Sequence, residues 1–269
     1  VEANLKRRIL TALVIVPLVI YAVGWAQPAV FMAAVLALTF VALYEYFRMA
    51  FADSPGERPV GILFGLALAV YSVIPGMADG GPWLASLLVV VFSAYVFVSG
   101  NVYDKVNRLG WLLLGGLYIG LLMPHWVFLF RFPRGRLWVF FALGVIVAGD
   151  TAAYFVGRRF GVKKLAPQIS PAKTWAGAWG YMFGGLAAGV LAACSILADY
   201  PLVEIVGMAL LIALLGQIGD LFESLLKRAF NVKDSSSLVP GHGGVLDRLD
   251  SLIFPAVFVH VYLKVFHPL

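Results

Sequence analysis

The chain has 269 residues, 62% of them hydrophobic and only 13% charged, with a mean hydropathy of +0.92 and a formal net charge of +6. A soluble globular domain carries about 25% charged residues, so this composition excludes that class and describes a chain that dissolves in lipid. In such a chain an excess of lysine and arginine reports membrane orientation before nucleic-acid binding, and no nucleic-acid partner is expected.

A hydrocarbon core of about 30 Å takes roughly 20 apolar residues per helix, whereas a barrel needs short alternating strands. The apolar runs here are long and continuous, so the expected fold is all-α and polytopic, with about nine transmembrane helices. In chain order they cover residues 9–26, 29–50, 60–78, 83–99, 109–130, 137–156, 175–198, 202–226 and 249–266. The opening run "LKRRILTALVIVPLVIYAVGW" resembles a signal peptide. Its apolar part exceeds the usual h-region of about 7–15 residues, so it reads as a retained first helix. "GMADGGP" and "RFPRG" mark helix boundaries, because Pro and Gly rarely continue a helix. Cys194, the single cysteine, lies in an apolar run and reads as a small buried side chain; alone it forms no intrachain disulfide. No internal repeat is evident.

With the N-terminus in the cytoplasm, sixteen of the twenty basic residues fall on inner segments. Arg131, Arg134, Arg136 and Lys264 fall outside, and the three arginines run against the trend. An odd number of spans then puts the C-terminus outside. Two long polar segments, residues 157–174 and 227–250, both face the cytoplasm under this topology, and water-facing chemistry belongs there. The division that follows is a scaffold with candidate dimer contacts over residues 1–135 and a catalytic region over residues 136–269.

Acidic residues cluster on or near those segments: Asp150, Asp220, Glu223, Asp234, Asp247 and Asp250. An ionisable group within an apolar span is costly unless paired, hydrated or metal-bound. For Asp150 the simple alternative is a structural ion pair between helices. In "GDLFESLLKR", Asp220, Glu223, Ser224 and Lys227 follow helical spacing and share one face. "GHGGVLDRLD" is a glycine turn leading into a helix. Gly243 and Gly244 let backbone N–H groups approach phosphate oxygens, and Asp247 and Asp250 stand one turn apart. Carboxylates on two helices, Asp220 and Asp247, suit Mg²⁺ or another divalent cation, which takes one or two carboxylates plus substrate phosphates. Lys227, Arg228, Lys233 and Arg248 add positive charge for a polyphosphate. His242 reads equally as a turn residue or a functional one, and lacks the further His or Cys that zinc requires. Together these point to metal-assisted phosphoryl chemistry at a membrane surface.

The run "SLLKRAFNVKDSSSLVPGHGGVLDRLD", residues 224–250, resembles the signature of the phosphatidate cytidylyltransferases, or CDP-diacylglycerol synthases. Its Ser, Lys-Arg, Lys-Asp, Pro-x-His-Gly-Gly and Asp-Arg-x-Asp elements keep that family's order and spacing. "GDTAAYFVGRRFG" and "LAPQISPAKTWAG" are similar to the family as well. The strong resemblance covers about the last 120 residues, and Ala176 stands where the family often has a polar residue. The resemblance implies transfer of a cytidylyl group from CTP to phosphatidate, giving CDP-diacylglycerol and pyrophosphate, with divalent-metal dependence. It also implies a homodimer in a bacterial inner membrane. It assigns Asp220 and Asp247 to the metal, and Lys227, Arg228, Lys233 and Arg248 to phosphate charge. Ser170, Lys173 and Thr174 on the facing loop, with Ser224, His242, Gly243 and Gly244, are the substrate-binding candidates. Asp150, Asp234 and Asp250 are further candidate ligands. The rival classes are a transporter, another CTP-using membrane enzyme such as a polyprenol kinase, and a non-catalytic scaffold. The clustering of polar groups at one membrane face speaks against the first, and their density against the last.

Overall fold

The computed structural model describes residues 2–74, 81–98, 100–239, 241 and 243–268, with backbone alone for residues 2–10, 12 and 81. Ten α-helices run in order: α1 Glu2–Gly24, α2 Pro28–Ala50, α3 Arg58–Val73, α4 Gly81–Phe97, α5 Val102–Gly115, α6 His125–Arg131, α7 Gly135–Phe160, α8 Trp175–Ala193, α9 Leu202–Ala229 and α10 Leu246–Phe266. Each of the nine expected spans coincides with a helical segment. Among the described residues seven segments are long and apolar enough to cross a membrane, and shorter apolar stretches occur at Leu13–Gly24 and Pro82–Phe97. Residues 75–78 of the third expected span lie outside the described residues. The protein is an all-α polytopic membrane protein.

Three expectations need correction. The span at 109–130 is not one helix: α5 passes into a π-helical turn, Gly116–Leu121, and restarts as α6 behind Pro124. Proline lacks the N–H that would continue the ladder but suits a helix start, so the break falls there. The segment 157–174 is not an open loop. α7 continues to Phe160, and β1 Lys164–Ala166 pairs antiparallel with β2 Ser170–Thr174. Cys194 is also exposed rather than buried, because it caps α8 beyond the packed part of the helix.

The helices are apolar all round, as membrane spans are. They bury one flank against each other and leave side chains such as Leu63, Phe155, Phe183 and Leu191 uncovered for lipid. α7, α8, α9 and α10 pack in sequence as one group; α2, α3, α5 and the π turn form another, and α6 bridges them. The seam is aromatic. Phe230, just past α9, stands edge-on to Tyr46 of α2 at 5.6 Å and to Trp111 of α5 at 4.8 Å. Small residues set the spacing within the α7–α10 group. The Tyr181 ring of α8 fills the place of a side chain at Gly149 on α7, and its hydroxyl lies 2.8 Å from where a Cβ on Gly216 of α9 would stand. Gly219 meets the Asp250 carbonyl of α10 at a distance that leaves no room for a Cβ. Two of these glycines directly precede Asp150 and Asp220, so close helix approach and the placement of those carboxylates have one cause.

Of the three arginines that run against the charge trend, two cap helix ends and the third forms an ion pair. Arg136 donates to the carbonyls of Val23, Gly24 and Ala26 after α1, and Arg131 donates to Val73 at the end of α3 at 2.9 Å. Arg134 pairs with Asp199 at 2.5 Å. The last carbonyls of a helix lack partners within it and carry partial negative charge, which the multiple donors of a guanidinium satisfy. Their location follows from packing and is no exception to explain by orientation.

Candidate functional site

α9 carries the centre of the site, and its polar residues divide between two neighbours. Lys173, on β2, reaches Asp220 Oδ2 at 2.6 Å, and Ser224 Oγ lies 3.4 Å from Asp220 Oδ1. One turn on, Lys227 contacts Glu223 on its own helix and donates to Asp247 Oδ1 of α10 at 2.6 Å. The expected common face of α9 is therefore split: Asp220 serves the hairpin side and Lys227 the α10 side. The hairpin is tied to α9 a second time, since Arg228 Nε donates to the Ile169 carbonyl at 3.1 Å. Arg228 also donates to Val232, where the chain turns through Asn231 at φ 56°. Arg228 thus shapes the loops around the site.

Asp247 is held on both oxygens. Oδ1 accepts from Lys227; Oδ2 accepts from Ser235 N at 3.0 Å, Ser235 Oγ at 3.0 Å and Gly244 N at 2.8 Å. Gly243 has φ 83°, a left-handed conformation that favours glycine. The Gly244 N–H, expected to face phosphate, is occupied by Asp247 instead. Thr174 is likewise taken: its buried Oγ1 accepts from Gly177 N at 3.1 Å and caps α8. Ser170 lies on the hairpin, paired with Ala166. Lys233 and Arg248 are exposed, and among the described residues their side chains form no hydrogen bond or ion pair, which leaves both open to an anion. Asp234 is exposed beside Lys233. His242 lies outside the described residues.

Deeper in the bundle sits an acidic pocket. Asp150 interacts electrostatically with Asp220, Lys173 and Arg248. Asp250, buried beside Gly219, acts on Asp220 and Glu223. Tyr118 on the π turn and Tyr181 on α8 face these charges, and neither hydroxyl has a hydrogen-bond partner among the described residues. Glu223 is fully buried, with Lys227 against it and the Asp247 carboxylate beside it. Buried polar atoms are normally satisfied, so orphaned oxygens among carboxylates are chemically suited to a cation and its water. Hard carboxylate oxygens fit Mg²⁺. Among the described residues no three His, Cys, Asp or Glu converge as a protein-only cage. Mg²⁺ bound through one or two carboxylates and substrate phosphates needs none.

One residue of the site was not expected. Glu45, on α2, is 0% exposed, and its carboxylate accepts from Ser235 Oγ at 3.0 Å, Ser236 Oγ, Val245 N at 3.0 Å and Leu246 N at 2.7 Å. A lone carboxylate in "VALYEYFRMA" is the available signal, since intramembrane acids are functional by default. Its partners about 200 positions away are not readable from the chain. This contact ties residues 1–135 to the polar segment of the C-terminal region.

A family model described as the cytidylyltransferase family matches residues 6–266, nearly the whole chain. The chain belongs to the cytidylyltransferase family. It is thereby a membrane-embedded nucleotidyltransferase, and the resemblance read from residues 224–250 extends across all its helices. It is 32% identical to the phosphatidate cytidylyltransferase of Bacillus subtilis (strain 168), over 98% of this chain and 99% of that one. It is 35% identical to the protein of that name in Brucella suis, over 98% and 95% of the two chains. The Pseudomonas aeruginosa protein of that name is 34% identical, over 92% and 93%. In this cytidylyltransferase the run that carries the signature is the one that Glu45 and the end of α9 hold in place.

Proposed function

We propose that this cytidylyltransferase transfers a cytidylyl group from CTP to phosphatidate, forming CDP-diacylglycerol and releasing pyrophosphate. The observation that carries the reading is the pair of carboxylate–lysine contacts, Lys173–Asp220 and Lys227–Asp247, built from β2, α9 and α10 at one end of the bundle. Relatives covering the whole chain bear the name of that activity. A phosphate oxygen of the lipid attacks the α-phosphorus of CTP, a new P–O bond forms, and the bond to the β-phosphate oxygen breaks. The electron pair leaves with pyrophosphate, so no protein nucleophile is needed.

Asp220 and Asp247 would hold a divalent cation, which neutralises triphosphate charge when bound. Lys173 and Lys227 now balance those carboxylates, and their ammonium groups are placed to turn to phosphate oxygens. Arg248 and Lys233 add donors to the leaving pyrophosphate. Asp150, Asp250 and Tyr118 keep the pocket polar inside an apolar bundle, so a lipid headgroup and water share it. A cytoplasmic N-terminus puts this end of the bundle where CTP is, and the homodimer implied by the resemblance remains part of the proposal. The test is purified protein in mixed micelles with phosphatidate, labelled CTP and Mg²⁺. CDP-diacylglycerol and pyrophosphate are expected in equal amounts. Product formed only with a polyprenol acceptor, or no nucleotide turnover, overturns the reading.

A further inference from the structure

We propose that Glu45 is a positioning residue for the reaction: it holds residues 235–246 in place from α2, so that Asp247 is free to exchange its partners. The proposal rests on the reading of the chain as a phosphatidate cytidylyltransferase. Each Glu45 oxygen accepts from one hydroxyl and one backbone N–H. Oε1 takes Ser236 Oγ and Val245 N; Oε2 takes Ser235 Oγ and Leu246 N. Val245 and Leu246 supply first-turn donors of α10, which no intrahelical acceptor can meet. A negative charge is also favourable there. Glu45 therefore fastens the start of the helix that carries Asp247 and Arg248.

Gly244 shows how closely the carboxylate is fitted. A Cβ there would lie 2.7 and 2.8 Å from the two Glu45 oxygens and would overlap Ser235 Oγ. The Ser235 hydroxyl lies 3.0 Å from both Glu45 Oε2 and Asp247 Oδ2. A hydroxyl has one proton and donates to one acceptor at a time. When Asp247 turns to a cation or a phosphate-bound partner, Glu45 keeps Ser235 satisfied and the segment does not follow. Without Glu45, the segment's anchor would be Asp247 itself, the group that must move.

Glu45→Gln tests this. Whichever way the amide is turned, its NH₂ faces either Val245 N or Leu246 N, so one backbone bond is lost while volume is kept. A displacement of about 1 Å at a reacting group can cost about a hundredfold in rate. The expected result is a kcat lower by about tenfold or more, with KM for CTP and phosphatidate within about threefold of wild type. Trypsin cleavage after exposed Lys233, without substrates, should accelerate. Glu45→Asp, which keeps both acceptors on a shorter arm, should recover part of the rate. Ser235→Ala should also lower kcat, and it alters no charge if Glu45→Gln proves unable to fold. In an Asp247→Asn background Glu45→Gln should add less than about threefold, because it acts through that residue. Wild-type kcat and unchanged Lys233 cleavage in Glu45→Gln would sink the proposal. So would a full additional loss in the Asp247→Asn background. If the wild-type protein forms no CDP-diacylglycerol, the functional reading fails on its own, and the Lys233 comparison still decides whether Glu45 holds the segment.

Discussion

Asp247 and Asp220 each lie against a lysine, and the rest of their surroundings predicts how each will respond to loss of charge. In Asp247→Asn the Oδ2 position, with its three donors, keeps an oxygen, and the NH₂ turns toward Lys227. Lys227 retains Glu223, so the ammonium is not left alone and the fold should survive. Activity should fall by about two orders of magnitude or more, since each roughly 1.4 kcal/mol lost from transition-state binding is tenfold. Asp220→Asn should lose as much. Its lysine is a quarter exposed and can be hydrated, so the melting temperature should change little. The double variant should be little worse than either, as expected of groups acting as one unit. CDP-diacylglycerol formation against Mg²⁺ concentration, with thermal melting in parallel, measures all three. Asp247 was legible in the chain because it follows a glycine turn at the start of a helix, and Asp220 because it interrupts an apolar run. Glu45 interrupts one too, but nothing near it in sequence reveals what it binds. Thr174 and Gly244 were legible as polar turn positions, though not as groups already engaged, since a cap or an Asp–N–H bond depends on the neighbour that folding supplies.

At the level of elements, α9 and α10 approach most closely where Gly219 faces the Asp250 carbonyl. Gly219→Ala must push the helices apart or shift Asp250. Overpacking of this kind costs about 1–3 kcal/mol, and here it also moves Asp220, the next residue. Melting temperature and activity should therefore fall together, unlike in Asp220→Asn. Retention of both would show that the two helices separate freely at this point. Helix positions were readable to within a few residues, because length and apolarity are local properties. The π turn at Gly116–Leu121 was not, although it places Tyr118 against the acidic pocket. Glycine pairs and Pro124 announce a weak ladder without saying which turn will widen. The β1–β2 hairpin escaped notice because "KLAPQISPAKT" lacks strand alternation. Its pairing gains from Lys173 and Ile169, which meet Asp220 and Arg228 across the site.

For the whole molecule, the charge distribution predicts a cytoplasmic N-terminus and an external C-terminus. In a Cys194→Ser background, Ala198→Cys and Asp234→Cys place single thiols at opposite ends of the bundle, both at exposed positions. An impermeant thiol reagent on intact cells should label Ala198→Cys and spare Asp234→Cys until the cells are opened. The reverse pattern would put the site on the outer face, away from cytosolic CTP. Arg131, Arg134 and Arg136 do not weigh against this orientation, because carbonyls of α1 and α3 and the Asp199 carboxylate hold them at their end.

The sequence by itself determined the solvent, the approximate positions of the helical segments and the end of the bundle where polar groups gather. These follow from composition, run length and the energetic penalty on charge in hydrocarbon, all additive along the chain. Its 224–250 run also determined the family. Only the tertiary structure decided the pairings: Lys173 with Asp220, Lys227 with Asp247, and Glu45 with the start of α10. Those bonds join residues from about 20 to 200 positions apart, and every carboxylate in the chain had several cations or donors it could have met. Close approach at Gly149, Gly216 and Gly219 selects among them, because a buried charge is stable only where packing brings its particular partner within reach.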